Sequence, residues 1–197
     1  MEEIRTWPLT PDRWADFETL FGVSGACFGC WCTYFRLQAA ERDTMDAAAK
    51  KQFIKQRIAA GPPPGILGYV GERPVAWVQV CRRIELPRWN AQRSVARPLD
   101  PADADDPDVW AISGFFMKAA ERGRGLSHRM LSAAVNYAAA SGARFVEGCP
   151  IERTKQSKSL GLYVGSVRIF EAAGFTEVAK RKAGRPLMRL VLAGVPR

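Results

Sequence analysis

One stretch restricts this chain more than any other: Glu121-Arg122-Gly123-Arg124-Gly125-Leu126-Ser127, set between an apolar run and an alanine-rich one. The run before it, Val109 to Met117, reads as a strand. The run after it, Leu126 to Ala140, reads as a helix. A strand that turns through glycines into a helix N-terminus makes an anion site. The first-turn N–H groups lack intrahelical acceptors, and the helix dipole concentrates positive charge there. Gly123 and Gly125 let the backbone come close to a ligand, and Arg122 and Arg124 add forked cationic donors. The sequence therefore predicts a ligand that carries phosphates.

The spacing is not that of a P-loop, which needs Gly-x-x-x-x-Gly-Lys-Ser/Thr, and no third glycine completes Gly-x-Gly-x-x-Gly. It does resemble the GNAT superfamily of acyl-CoA-dependent N-acyltransferases, whose pyrophosphate loop reads Gln/Arg-x-x-Gly-x-Gly/Ala. Arg122, Gly125 and Ser127 occupy those three places, with serine where the family has a small glycine or alanine. A second block, Phe170-Glu-Ala-Ala-Gly-Phe175, is similar to the family's later helix, which closes on Gly-Phe; Gly174 suits the position just past a helix end. The resemblance spans Val109 to Leu192. It implies an α/β (α+β) fold with a mixed, mostly antiparallel central sheet and helices on both faces. It also implies acetyl-CoA as co-substrate, a small-molecule amine as acceptor, and N-acetyltransferase activity. Cofactor contacts are then expected from Phe116, Met117, Arg122, Gly123, Arg124, Gly125, Leu126 and Ser127.

The rest of the chain fits one domain over residues 1–197. Ile4 to Leu9 reads as a strand, and Thr10-Pro11-Asp12 opens a helix to about Phe21. Asp43 or Thr44 caps a second helix ending near Gly61. Ile66 to Val70 and Val75 to Cys81 form a hairpin. Strands are expected again at Ala143 to Cys149, Thr176 to Lys182 and Leu187 to Leu192. Leu86 to Pro107, with prolines and an acidic run, reads as a long mobile loop. No apolar run is long enough to span a membrane, and the acidic Met1-Glu2-Glu3 with no apolar core after it does not read as a signal peptide, so a cytoplasmic protein is expected. A homodimer is among the open oligomeric states.

The net charge of +9 suits nucleic acid or an anionic cofactor. No aromatic-basic RNA motif or helix-turn-helix pattern accompanies it, so a nucleic-acid partner is not expected. Between Pro150 and Pro186 stand eight basic residues against three acids, a rim that would attract CoA or simply solvate the surface.

Acyl transfer needs a donor for the oxyanion, a route for the amine's proton, and a proton or positive field for the departing thiolate. In the family the oxyanion donor is a backbone N–H on the strand before the loop, which here is Met117. The family's frequent acid is a tyrosine four residues before Gly-Phe, and that place holds Phe170. Tyr163, about two helical turns earlier, is the alternative acid or a pantetheine contact. Ser166 or water are the other donors. Glu147, a carboxylate inside an apolar strand, is either the base or an outward-facing charge. The lone His128 reads as a surface residue. Cys27, Cys30 and Cys32 invite a zinc reading, but the chain has no second Cys-x-x-Cys, so no metal is expected. In the family this segment borders the acceptor pocket, where Phe28, Trp31, Tyr34 and Phe35 would line it; simple core packing is the other possibility. Because Phe170 stands where the acid would be, an acyl-CoA-binding module with little transfer activity is the alternative function.

Overall fold

The structure is a computed structural model that describes residues 3–152 and 162–192. Arg153, Lys155 and Lys158 of the expected basic rim lie outside the described residues.

Seven strands form one sheet in the order β1-β2-β3-β4-β5-β7-β6. They are β1 (Ile4–Pro8), β2 (Gly65–Val70), β3 (Arg73–Arg82), β4 (Val109–Met117), β5 (Phe145–Gly148), β6 (Thr176–Lys180) and β7 (Pro186–Val191). Among the described residues only the strand pair β4–β5 runs parallel; the remaining strand pairs are antiparallel. Parallel neighbours need a crossover, and the helix after the glycine turn supplies it. The helices are α1 (Trp14–Phe21), α2 (Ala39–Thr44), α3 (Ala47–Ala60), α4 (Pro87–Asn90), α5 (Leu126–Ala140) and α6 (Val167–Ala172).

β2 and the middle of β3 are buried along their length. Their apolar side chains do not alternate with polar ones, because both faces of the sheet are covered. On one face α5 buries Leu126, Met130, Ala134 and Ala138, one side of a 3.6-residue period, against Val78, Val80, Trp110 and Ile112. Ile169 and Phe170 of α6 join the same core. On the other face α1 and α3 pack Phe17, Phe21, Ile54 and Ile58 with Trp31, Leu67 and Trp77. A third cluster, with Leu86, Trp89, Ala96, Ala111 and Leu187, continues that face toward β7.

Two local expectations change. The second helix is two: α2 starts at a reciprocal Gln38–Glu41 capping box, and α3 is capped by Asp46, whose Oδ1 accepts from Ala49 N–H at 2.7 Å. Neither Asp43 nor Thr44 is the cap of the long helix. The segment from Leu86 to Pro107 is pinned, not loose. Trp89 and Ala96 are buried, and Arg181 donates to the carbonyls of Val95, Arg97 and Pro98. Arg189 reaches Asp103 at 2.5 Å, and Arg144 reaches Asp106 at 2.8 Å. Among the described residues no helix is long and apolar enough to cross a membrane.

Candidate active site

β4 and β5 pair only from Val109–Phe145 to Ile112–Gly148. Beyond Ile112 the strands part, and β4 carries an extra residue, Ser113, opposite the Gln79–Val80 step of β3. Such a bulge bends a strand and re-aims its side chains. The chain after β5 returns through an isolated Ile151–Ser166 bridge and brings the short helical turn Leu162–Val164 beside β4.

Pairing beyond the bulge decides which backbone groups are available. Lys118 N–H donates to Val75 C=O at 3.0 Å, so Val75 and Lys118 are a hydrogen-bonded pair. Alternation makes Ala76 and Met117 a non-bonded pair and ties Phe116 to Trp77. The peptide edges of Phe115 and Met117 therefore turn away from β3, toward the gap. Met117 C=O already accepts from Arg122 Nε and Nη2, at 3.3 and 3.2 Å. Its N–H is the group expected to face an oxyanion.

Two cavities meet at this gap. One, of about 480 Å³, lies between the end of β4, the start of α5 and α6. Gly123 (φ 80°) and Gly125 (φ 76°) hold left-handed backbone there. A Cβ at either would meet nothing within 4 Å, and among the described residues no backbone acceptor takes the N–H of Gly123, Gly125, Leu126 or Ser127. Of the residues expected to contact the cofactor, Phe116, Met117, Arg122, Gly123, Gly125, Leu126 and Ser127 line this cavity. Arg124 does not: its Nη1 is held at 2.6 Å by Glu121, a buried carboxylate under the turn. Arg168 and Ser166 of the α6 end, and the exposed His128, also line it. Arg168 had signalled itself in the sequence only as part of a charge count. The turn fits a diphosphate: open N–H groups at the start of a fifteen-residue helix, with two guanidinium side chains beside them.

The other cavity, of about 790 Å³, lies on the opposite side of the gap. Phe28, Tyr34, Phe35, Cys30 and Cys32 line it. Trp31 does not; it is 1 % exposed and stacked with Phe21 at 5.7 Å in the core. Its wall is a tight loop in which Ala26, Phe28, Trp31 and Cys32 all have positive φ, unusual for side-chain-bearing residues. The buried Trp31 and the bond from Trp77 Nε1 to Cys32 Sγ, 3.1 Å, hold that loop on the sheet. The pinned segment after β3 forms the facing wall with Arg88, Trp89 and Arg93. Phe115, Phe116 and Tyr163 line both cavities and so mark where they join.

The structure moves two sequence candidates. Phe170 is fully buried against Phe115 and Phe175, at 6.1 and 4.9 Å between ring centroids, and lines neither cavity. Glu147 is neither an outward charge nor a residue of the cavity wall. It is fully buried, one oxygen taken by Arg83 and the other by Arg189 at 2.6 Å. Arg83 is itself fully buried, and burial pushes its pKa down to about 9, so it stays charged at neutral pH. Its Nη2 also donates to Ala96 C=O. Glu147 thus anchors the pinned segment to β5 and β7 from beneath.

Burial raises the thiol pKa of Cys32, Cys81 and Cys149, Cys81 to about 11, so these sulfurs stay protonated at neutral pH. Among the described residues no group of three or more His, Cys, Asp or Glu converges on one point.

A family model described as the acetyltransferase (GNAT) family matches residues 31–165. No curated protein sequence matches the chain. Solved structures share the fold at low identity. The GNAT domain of an S. lividans PAT matches with TM-score 0.55 and 16% identity, over 96% of this chain and 90% of that one. An acetyltransferase of the GNAT family from Streptococcus pneumoniae matches with TM-score 0.53 and 15% identity, over 97% and 100%. A putative acetyltransferase from Salmonella typhimurium, solved with its cofactor acetyl-CoA, matches with TM-score 0.52 and 14% identity, over 96% and 94%.

Proposed function

The chain belongs to the GNAT acetyltransferase family, and from that premise we propose that it moves the acetyl group of acetyl-CoA onto a primary amine. The observation that carries this reading is the joining of two unlike cavities at Phe115, Phe116 and Tyr163. One cavity offers an anion turn to a nucleotide diphosphate; the other offers an aromatic-walled room to an acceptor.

The N–H groups of the Gly123–Ser127 turn hold the diphosphate, with Arg168 beside them. Arg122 braces the end of β4 through Met117 C=O. Met117 N–H donates to the carbonyl oxygen that gains charge as the nitrogen adds. The N–C bond forms first, the C–S bond breaks as the oxyanion collapses back to a carbonyl, one proton leaves the nitrogen and the thiolate takes one up. Tyr163, at the junction, supplies the proton to sulfur. Glu147 is held in its ion pairs, so the nitrogen's proton leaves through solvent in the wide cavity. The test is release of CoA thiol from acetyl-CoA on adding members of an amine library. Tight CoA binding with no amine-dependent thiol release would leave a binding module in its place.

A further inference from the structure

We propose that the acceptor is an amino carboxylate: a primary amine with an apolar or aromatic body and a carboxylate that the arginines of the wide cavity hold. This rests on the acetyl-transfer reading above.

The wall of that cavity carries three guanidinium groups, Arg88, Arg93 and Arg185, and no aspartate or glutamate among the described residues. The arginines come from separate elements. Arg88 on α4 lies 4.1 Å over the Tyr34 ring, and its Nη2 donates to Tyr34 Oη at 2.9 Å. Arg185 precedes β7 and donates to Cys149 C=O at 3.0 Å. Arg93 is exposed and makes no ion pair among the described residues. Among the described residues neither Arg88 nor Arg185 has a carboxylate partner, and Arg88 Nη1 and Arg185 Nε are buried there without a hydrogen-bond partner. Both side chains are partly exposed, but each keeps one donor out of solvent with no acceptor; buried donors are ordinarily satisfied, so an anion in this space would complete the set.

Two further polar atoms on the same wall lack hydrogen-bond partners among the described residues. Ser113 is 3 % exposed and sits on the bulge beside the gap; its Oγ accepts and donates to nothing among the described residues. Trp89, fully buried, leaves Nε1–H unpaired. A ligand with acceptors and N–H donors satisfies both kinds of group. Much of the rest of the wall is aromatic, with Phe28, Tyr34, Phe35, Phe115 and Phe116 beside a few polar groups such as Gln38 and Gln79, which suits an apolar or aromatic body.

The same charges explain how the nitrogen becomes a nucleophile without Glu147. Guanidinium groups nearby disfavour an ammonium ion and favour the neutral amine. They also repel acceptors that carry only positive charge, such as polyamines.

The test compares matched acceptors that differ only in the carboxylate. With saturating acetyl-CoA, kcat/KM is measured for L-phenylalanine against phenethylamine, for L-leucine against 3-methylbutylamine, and for spermidine. The amino acids should exceed their decarboxylated partners by roughly tenfold to a hundredfold, the worth of one charge-assisted bond. Arg93→Gln, at an exposed position that does not support the core, should narrow that ratio, and Arg88→Gln should narrow it further. Equal or better turnover of the amines or of spermidine overturns the acceptor class and leaves acetyl transfer standing. No turnover of any member by protein that binds acetyl-CoA calorimetrically also overturns the class. Failure to bind acetyl-CoA removes the acetyl-transfer reading itself, and the acceptor class with it.

Discussion

Glu147→Gln separates a structural carboxylate from a catalytic one. The side chain keeps its shape but loses its charge in a fully buried position, and Arg83 loses the one carboxylate within ion-pair distance among the described residues. Arg189 keeps Asp103 at 2.5 Å, so the deficit falls on Arg83. Removing one partner of a buried ion pair costs about 3–5 kcal/mol. For a chain of 197 residues that lowers Tm by about 6–20 °C. The assay is thermal unfolding by circular dichroism, with CoA calorimetry and steady-state kinetics at low temperature. Stability should fall by that amount. CoA affinity should not change, since the cofactor cavity lies across the sheet. KM for the acceptor should rise, because Arg83 also holds Ala96 of the cavity wall. Replacing both members, Arg83→Met with Glu147→Leu, should recover most of the lost stability. The reasoning fails if Glu147→Gln melts within about 2 °C of the parent while kcat drops a hundredfold or more, the pattern expected of a lost general base.

Four other substitutions probe separate parts of the account. Gly125→Asp places a carboxylate on the anion turn at a left-handed position that aspartate tolerates, with open space around its Cβ. It should fold normally and weaken CoA binding more than about tenfold, as a repelled diphosphate would; unchanged affinity by calorimetry would move the phosphates elsewhere. Tyr163→Phe should lower kcat by roughly a hundredfold with acetyl-CoA binding intact; a shift confined to KM would make Tyr163 a binding contact only. Gly148→Ala drives a methyl into the Phe170 ring and should destabilise by about 1–3 kcal/mol, with partial rescue by Phe170→Leu. Tyr69 donates to Asp16 at 2.7 Å, and burial and that carboxylate push its pKa to about 12. Its contribution is complete below about pH 10, where the unfolded phenol is protonated. It is lost as pH rises toward 12. Tyr69→Phe should remove one late step from the ultraviolet titration.

The half of the candidate site that we propose for acetyl-CoA has a backbone frame that was legible because it is local. A strand, two glycines and an amphipathic helix stand in sequence order, and the structure places them as Val109–Met117 and Leu126–Ala140, the expected bounds. The acceptor half is assembled from distant segments. Arg88, Ser113 and Arg185 meet only through the sheet order, and no periodicity announces that. A glycine inside a strand, Gly114, was a usable hint of the bulge beside it. Proline and acid content suggested a mobile loop after β3 because composition does not reveal the arginines that reach it, Arg181 just after β6, Arg189 on β7 and Arg144 before β5. Glu147 misled in a similar way. A carboxylate in an apolar strand is equally compatible with chemistry and with two buried guanidinium partners, and those partners are 64 and 42 residues away in the chain.

The central claim is that acetyl transfer occurs where the two cavities join, with the diphosphate on the glycine turn and the thioester at the end of β4. A crystal structure with acetyl-CoA tests it most directly. The diphosphate should lie on the N–H groups between Gly123 and Ser127, and the acetyl oxygen should lie within hydrogen-bond distance of Met117 N, with Tyr163 beside the sulfur. Acetyl-CoA bound with its thioester away from the gap between β4 and β5, or its diphosphate off the turn, would contradict the account.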